Sequence, residues 1–377
     1  MQTMTKKMLV GLGLAACTPV VFAAKPGTPT LADVLDASGV TVDGYLDTSY
    51  TYLSGSGTFT GAGAVANRVF DTERNSFNLN ALNLRVQELP AKGFGGKAEV
   101  HVGSDAGVIK AFGSTTTNVD LTQAYVNYAA GGLTLMGGKF VTLAGAEVIR
   151  SPDDLSFSRS ILFGYAIPFT HTGVRANFAV NDNLTFMAGV NNGWDVLKES
   201  ASGDPAARKT VELGTALNPT KALAINAVYY GGDASNTPGT PGGVVGMRQL
   251  FDLVATFNFT DALSVALNGD VAKQKDAVVV GTDAKWSGVA GYVNYKLSDR
   301  WRTSVRLEYF DDKDGFRTGL VQKWKEATAT LAYTPGKNVE LRAELRGDSS
   351  DKNAFVQTSG SPKDSQQSIG LEALYKF

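Results

Sequence analysis

Between Asn338 and Gly347 apolar and polar residues alternate without a break. Val339, Leu341, Ala343 and Leu345 fall on one face of an extended chain, and Glu340, Arg342, Glu344 and Arg346 on the other. Alternation of period two predicts a β-strand with two unlike faces. The run from Trp301 to Tyr309 repeats the pattern. So does the end of the chain, where Ile369, Leu371, Ala373, Tyr375 and Phe377 alternate with Gly370, Glu372, Leu374 and Lys376. Marking every such run predicts sixteen strands, near 40–53, 76–89, 94–104, 119–130, 132–141, 170–180, 183–192, 208–218, 221–231, 247–259, 261–274, 283–297, 300–310, 323–334, 338–348 and 366–377. Most run to about 10–14 residues, where soluble strands average ~5–6 and a tilted strand needs ~9–11 to cross a bilayer.

The connections between these runs alternate in length. The short ones are Pro90–Gly93, Gly131, Asn181–Asp182, Pro219–Thr220, Thr260, Ser298–Asp299 and Thr334–Lys337; the long ones span about 54–75, 105–118, 142–169, 193–207, 232–246, 275–282, 311–322 and 349–365. A soluble sandwich has no physical reason to sort loop length by parity, whereas outer-membrane barrels pair short periplasmic turns with long extracellular loops. The fold class predicted is therefore all-β: one transmembrane antiparallel β-barrel of about 16 strands, with both termini on the short-turn side. Trp301 and Tyr309, and likewise Phe251 and Phe259, lie eight residues apart on apolar faces. On a tilted strand that spacing rises ~20 Å, close to the height of the band between two aromatic girdles. Past the N-terminal segment no stretch approaches the ~18 apolar residues of a membrane helix. A membrane role must then come from strands, since only helices and closed barrels satisfy their backbone groups in lipid.

The N-terminal segment reads as an export signal, with Lys6 and Lys7 ahead of an apolar run and a small-residue cleavage site at Val21–Ala23. This gives a signal peptide at 1–23, a short periplasmic or lumenal segment at 24–39, and a barrel at 40–377. A rival processing site is present at Leu14–Cys17, which resembles a lipoprotein box with Cys17 as the acylated residue. Cleavage after Ala23 leaves no cysteine, which suits the oxidising periplasm. The 35 Lys+Arg balance 36 Asp+Glu, so no basic stripe marks a nucleic-acid partner.

Between Asp71 and Asp195 a set of motifs is ordered along the chain: Asp71–Phe77, Gln123–Val126, Gly138–Phe140, Ser158–Ser160, the unbroken Phe163–Arg175, and Asn192–Asp195. These resemble the OmpL-like β-barrel porins of Gram-negative bacteria. The resemblance implies an outer-membrane porin and leaves the solute open. Phe377, closing an alternating strand, resembles the signal read by the outer-membrane assembly machinery.

The glycines at 137–138 and 55–63 fit neither phosphate-loop pattern, and turn or packing glycine is the simpler reading. His101 and His171 share the lumenal parity, with no third metal ligand at useful spacing. Asp153–Asp154 and Asp311–Asp312 match no EF-hand loop. No cofactor, metal or catalytic residue is expected. Function falls to the lumen charges. Parity turns Arg85, Lys97, Arg175, Lys296, Arg302, Arg306, Arg342 and Arg346 inward, with ten acidic residues from Asp43 to Glu372. Facing lipid they would each cost ~2–4 kcal/mol at the midplane. The count is too even to predict ion selectivity.

The longest connection, from about Thr142 to Phe169, follows strand five. A connection this long is usually functional or disordered, and in sixteen-stranded general porins the third loop folds into the lumen. It carries Glu147, Asp153 and Asp154, with Arg150 and Arg159 among them. The expectation is an acidic loop facing a basic wall of Arg302, Arg306, Arg342 and Arg346 across the narrowest part of a water-filled pore for small hydrophilic solutes. Expected partners are the lipid bilayer, lipopolysaccharide, the assembly machinery and the solutes; a homotrimer is the candidate assembly. The alternatives are a substrate-specific channel, for which the arginines would form a ladder, and a non-pore barrel serving as adhesin or structural anchor.

Overall fold

The structure, a computed structural model, describes residues 29–60, 65–198, 209–235, 245–277 and 279–377. The expected signal peptide, Cys17 and residues 24–28 lie outside the described residues. From the N-terminal unit, Leu31–Ser38 forms a helix, α1, with a capping box between Thr30 and Asp33 and Gly39 in the left-handed conformation (φ 71°) at its end. The sequence reading had no helix here.

The second unit, residues 40–377, is a closed barrel of sixteen antiparallel strands. They are β1 Thr41–Leu53, β2 Ser76–Glu88, β3 Gly93–Val102, β4 Val119–Ala130, β5 Leu133–Val141, β6 Thr170–Asn181, β7 Leu184–Asn191 and β8 Thr210–Thr220. The second half comprises β9 Leu223–Ser235, β10 Val245–Asn258, β11 Leu263–Gln274, β12 Ala284–Lys296, β13 Trp301–Asp312, β14 Gln322–Gly336, β15 Val339–Ser350 and β16 Ser365–Lys376. Each strand pairs with its neighbours in sequence, and β1 pairs with β16 from Tyr45–Lys376 to Leu53–Ser368 to close the ring. Closure leaves no open edge, as lipid requires. The strand count and loop parity are those the alternation predicts. Two turns shift: Pro219–Thr220 ends β8 and the ladder of β14 runs on to Gly336, so those residues belong to strands. Proline is tolerated at the end of a strand, where a ladder donor is not needed.

The outer surface is apolar. Phe94, Val126, Val174, Leu307 and Leu345 are exposed on it. Near the short turns aromatic rings meet in pairs: Phe94 with Tyr128, Phe257 with Phe259, Trp301 with Tyr333, and Tyr375 with Phe377. This is the aromatic girdle expected at a bilayer interface. Register shifts, at Asp47/Thr48 between β1 and β2 and at Glu99/Val100 between β3 and β4, mark bulges that flip the alternation locally.

Four long connections carry structure of their own. The short strands Gly55–Phe59, Phe355–Gln357 and Pro362–Lys363 join the first and last long loops into a small sheet, and Ser104–Ile109 forms helix α2. The connection between β5 and β6 contains a 3₁₀ turn at Ser151–Asp153 and a π-helical turn at Leu162–Ala166. The main hydrophobic core is inside the barrel. Ile161–Phe163 and Tyr165–Ile167 of this loop pack against Tyr230, Leu250, Trp286, Phe310 and Trp324 of the wall.

Candidate functional site

The loop 142–169 enters the lumen over a hydrogen-bonded neck, Thr142 N to Phe169 O at 2.9 Å. The wall holds its first residues: Leu143 N donates to the Tyr230 hydroxyl at 2.9 Å, and Ala146 N to Asn268 Oδ1 at 3.3 Å. It then descends the barrel. At its tip Leu155 O accepts from Arg302 Nη1 at 2.6 Å, and Arg302 is the second residue of β13, at the short-turn end. Two wall glycines make room for it. A Cβ at Gly288 would meet Leu162 Cδ1 at 2.7 Å, and one at Gly370 would meet Phe157 Cδ1 at 2.5 Å.

A loop inside a barrel has no ladder to satisfy its backbone, so its amides and carbonyls must find other partners. The charged wall supplies them. Glu344 accepts from Phe157 N at 2.8 Å and Ser158 N at 3.1 Å, and Glu308 from Ile161 N at 2.9 Å and Leu162 N at 3.2 Å. Arg342 donates to the carbonyls of Ser151, Asp154 and Ser156 at 3.1, 2.8 and 3.1 Å, and Arg346 to that of Arg159 at 2.8 Å. Arg306 is the centre of the network. It contacts Glu147 at 2.7 Å, Glu326 at 3.0 Å and Glu308 at 3.2 Å, and donates to Ser158 O at 2.8 Å. Inside the loop Arg159 donates to Val148 O, Ile149 O and Phe157 O and pairs with Asp154 at 2.9 Å. Burial pushes the Asp154 carboxyl up to about 7, with the facing Arg159 opposing it.

This corrects the expected arrangement of loop and basic wall. They do not face each other across an open gap; they are bonded together. Arg306, Arg342 and Arg346 are 0%, 3% and 5% exposed, spent on loop carbonyls and buried carboxylates. Charge-assisted bonds from a fixed wall satisfy both partners at once, which bulk hydration of each alone does not improve on.

The loop reaches the opposite wall through one side chain. Arg150 donates to Asn83 Oδ1 at 2.5 Å and pairs with Glu99, Asp43 and Asp153, each at 3.1 Å. Beside it Arg85 pairs with Asp43 at 2.8 Å, and Lys97 lies 3.6 Å from Glu99. Here, between the loop and β2–β4, a cavity of 320 Å³ remains, lined by Arg85, Lys97, Glu99, Gln123, Arg150 and Asp153 among others. Asp153 is its most open charge, with a side chain 54% exposed. Arg175 stands apart: it pairs with Glu212 at 2.5 Å under the root of the loop, over the ring of Phe140. His101 bonds Tyr45 and Thr122, and His171 bonds the Gly193 carbonyl. Phe377 exchanges backbone bonds with Gly44 at 2.9 and 3.0 Å, completing the seam.

Several participants escaped the sequence reading. Trp286, Phe310 and Trp324 sit on the lumenal parity, where apolar residues were not expected; their position near the long-loop ends of their strands was the available signal. Glu326 has that parity too. Arg68, in the first long loop, pairs with Asp71 at 3.0 Å and Asp348 at 2.9 Å, a contact between distant segments that no spacing reveals.

A sixteen-stranded barrel with an apolar exterior, a charged lumen and a third long loop folded into it defines a porin of the bacterial outer membrane. The family model described as "Putative beta-barrel porin-2, OmpL-like" matches residues 39–377, and the chain belongs to that family. No curated protein matches the sequence. Among solved structures the chain resembles the outer-membrane channel DcaP of Acinetobacter baumannii, at 15% identity and a TM-score of 0.61 over 90% of this chain and 97% of that one. It also resembles the anion-selective porin from Comamonas acidovorans, at 14% identity and a TM-score of 0.61 over 90% and 99%. The trimer form of OmpT from Vibrio cholerae aligns at 13% identity and a TM-score of 0.59 over 90% and 99%.

Proposed function

We propose that small hydrophilic solutes diffuse passively through the passage between loop 142–169 and the wall of β2–β4, and that this loop is the constriction. The observation that carries the reading is the uneven anchoring of the loop: its backbone is bonded to β13 and β15, it meets the other side through Arg150, and 320 Å³ of space remains there. The passage is edged by Arg85, Lys97 and Arg150 and by Asp43, Glu99 and Asp153, charges of both signs that favour hydrated solutes over apolar ones. No chemical step and no cofactor enter this role. A planar-bilayer recording of purified protein tests it. Discrete ohmic steps in KCl are expected; a folded barrel that inserts without conducting would overturn the pore and leave a structural anchor as the better reading. The trimer form of the Vibrio cholerae neighbour supports a homotrimer in the outer membrane, which crosslinking of intact cells reads as a threefold mass. Lipopolysaccharide around the apolar belt and the assembly machinery acting on Phe377 complete the proposed partners.

A further inference from the structure

Arginines on the lumenal side follow one rule with two exceptions. Arg68, Arg85, Arg150, Arg159, Arg175, Arg302, Arg306, Arg342 and Arg346 each have a carboxylate oxygen within 4.0 Å. Arg248, at the long-loop end of β10, and Arg317, in the connection between β13 and β14, have none among the described residues. Each guanidinium spends only its Nε on protein: Arg248 on Gln274 Oε1 at 2.6 Å, and Arg317 on Tyr165 O at 2.5 Å. Their Nη atoms have no acceptor among the described residues, and both side chains are only half-buried.

What surrounds them is aromatic. Arg248 lies 5.0 Å over the ring of Trp194 and 5.8 Å from that of Phe316; Arg317 lies 5.5 Å from Trp194 and 5.4 Å from Trp286. Trp286 packs against Trp194 and Phe316, and its indole donates to Ala166 O at 3.1 Å, which fixes the ring. Indole faces hold guanidinium planes in place without consuming their hydrogens. Two carboxylates nearby are already engaged: Asp195 Oδ1 accepts from Phe169 N at 2.7 Å and Thr170 N at 2.9 Å, and Asp312 Oδ2 from Arg317 N at 2.9 Å and Thr318 N at 2.7 Å. Phe169 in turn lines the cavity beside the loop.

Two cations are thus held together in an aromatic setting, with Nη donors that meet no acceptor and no carboxylate within 4.0 Å among the described residues. Such an arrangement is complete only with an anion. A flat one gains most, because it can stack on the half-buried Trp194 ring while its oxygens take the Nη–H groups. We infer that Arg248, Arg317, Trp194, Trp286 and Phe316 form a binding site for planar organic carboxylates at the extracellular mouth of the lumen. The inference rests on the pore reading, to which it adds a solute class. The site lies on the lumenal parity of β10 and β12, so its occupant comes from channel water and not from the lipid leaflet.

Benzoate is the probe, acetate the flat-face control, and the full-length protein in detergent the sample. Calorimetric titration reads the site whether or not the barrel conducts, and KCl currents in planar bilayers read the pore. Wild type should bind benzoate more tightly than acetate. Arg248→Gln with Arg317→Gln should weaken benzoate about tenfold or more, as expected for the loss of charge-assisted bonds. Trp194→Leu keeps both arginines and should weaken benzoate while leaving acetate alone; it stands as the test if the double variant does not fold. No benzoate binding by wild type, equal binding by the arginine variant, or a benzoate-to-acetate ratio untouched by Trp194→Leu overturns the site. Benzoate binding without KCl current overturns the pore and leaves the site standing.

Discussion

Arg306 shows how one side chain can decide what a lumen charge is for. Its own side chain is fully buried, and Glu147, Glu308 and Glu326 converge on it from the loop and two strands. Arg306→Gln leaves three buried carboxylates with one cation fewer, and removing one partner of such a cluster costs about 3–5 kcal/mol. The expected result is a lower unfolding midpoint in urea and a larger, noisier conductance as the loop loosens, with ion preference little changed. A clean shift toward cations at unchanged conductance would mean that Arg306 faces channel water. Asp195 gives a pH dependence. Burial pushes its carboxyl up to about 6, against the Thr170 and Phe169 amides and the nearby Arg317 and Arg248, which pull it down. A carboxyl raised in the folded state stabilises that state at low pH, and the contribution is lost as pH rises through about 6. Acidification from pH 7.5 to 5.0 also removes a negative charge beside both arginines. Benzoate, still ionised, should bind more tightly at pH 5.0, and Asp195→Asn should bind equally at both values.

At the scale of elements, the loop 142–169 behaves as an attachment to strands thirteen to fifteen more than as a surface loop. Its backbone bonds go to Glu308 of β13, Glu344 and Arg342 of β15 and Tyr230 of β9. Excising about Glu147 to Ser158 should raise single-channel conductance, since the wall charges it covers can hydrate in its place; unchanged conductance would mean that the passage lies elsewhere. The seam between β1 and β16 is a second critical element. A Cβ at Gly44 would meet Asn83 O at 2.3 Å and the Phe377 ring at 2.7 Å. Gly44→Val should therefore impair closure much as deletion of Phe377 should, and both should lower outer-membrane levels and raise periplasmic degradation. Normal insertion of both variants under strong expression would separate assembly from this corner of the barrel.

For the whole molecule, closure of sixteen strands around a bonded interior makes unfolding cooperative. An unboiled sample should migrate differently from a boiled one in detergent gels, and the protein should fractionate with outer membranes. Equal mobility under both conditions would speak against a closed barrel. The interior packing adds to this. The aromatic cluster of Trp286, Phe310 and Trp324 ties loop to wall, so variants that release the loop should also lower the temperature of the mobility change.

The sequence by itself determined the barrel. Period-two alternation is a local property of each strand, and lipid on one side with water on the other imposes it on every strand independently, so Val339–Arg346 carries the signal without its neighbours. Loop parity and the lipid-facing aromatics follow for the same reason. The lumen was legible only as a parity. Arg306 and Arg342 are correctly inward by alternation, but whether an inward charge meets water or a loop carbonyl depends on a segment more than 140 residues away in the chain. The helix α1 went unread because eight residues make a short periodic signal, and Trp286 and Trp324 because an apolar side chain on the polar face makes sense only once a folded-in loop covers it. Tertiary structure decided which lumenal arginines pair with carboxylates and which, Arg248 and Arg317 among the described residues, do not, because pairing is a matter of distance in space and the chain order holds no record of it.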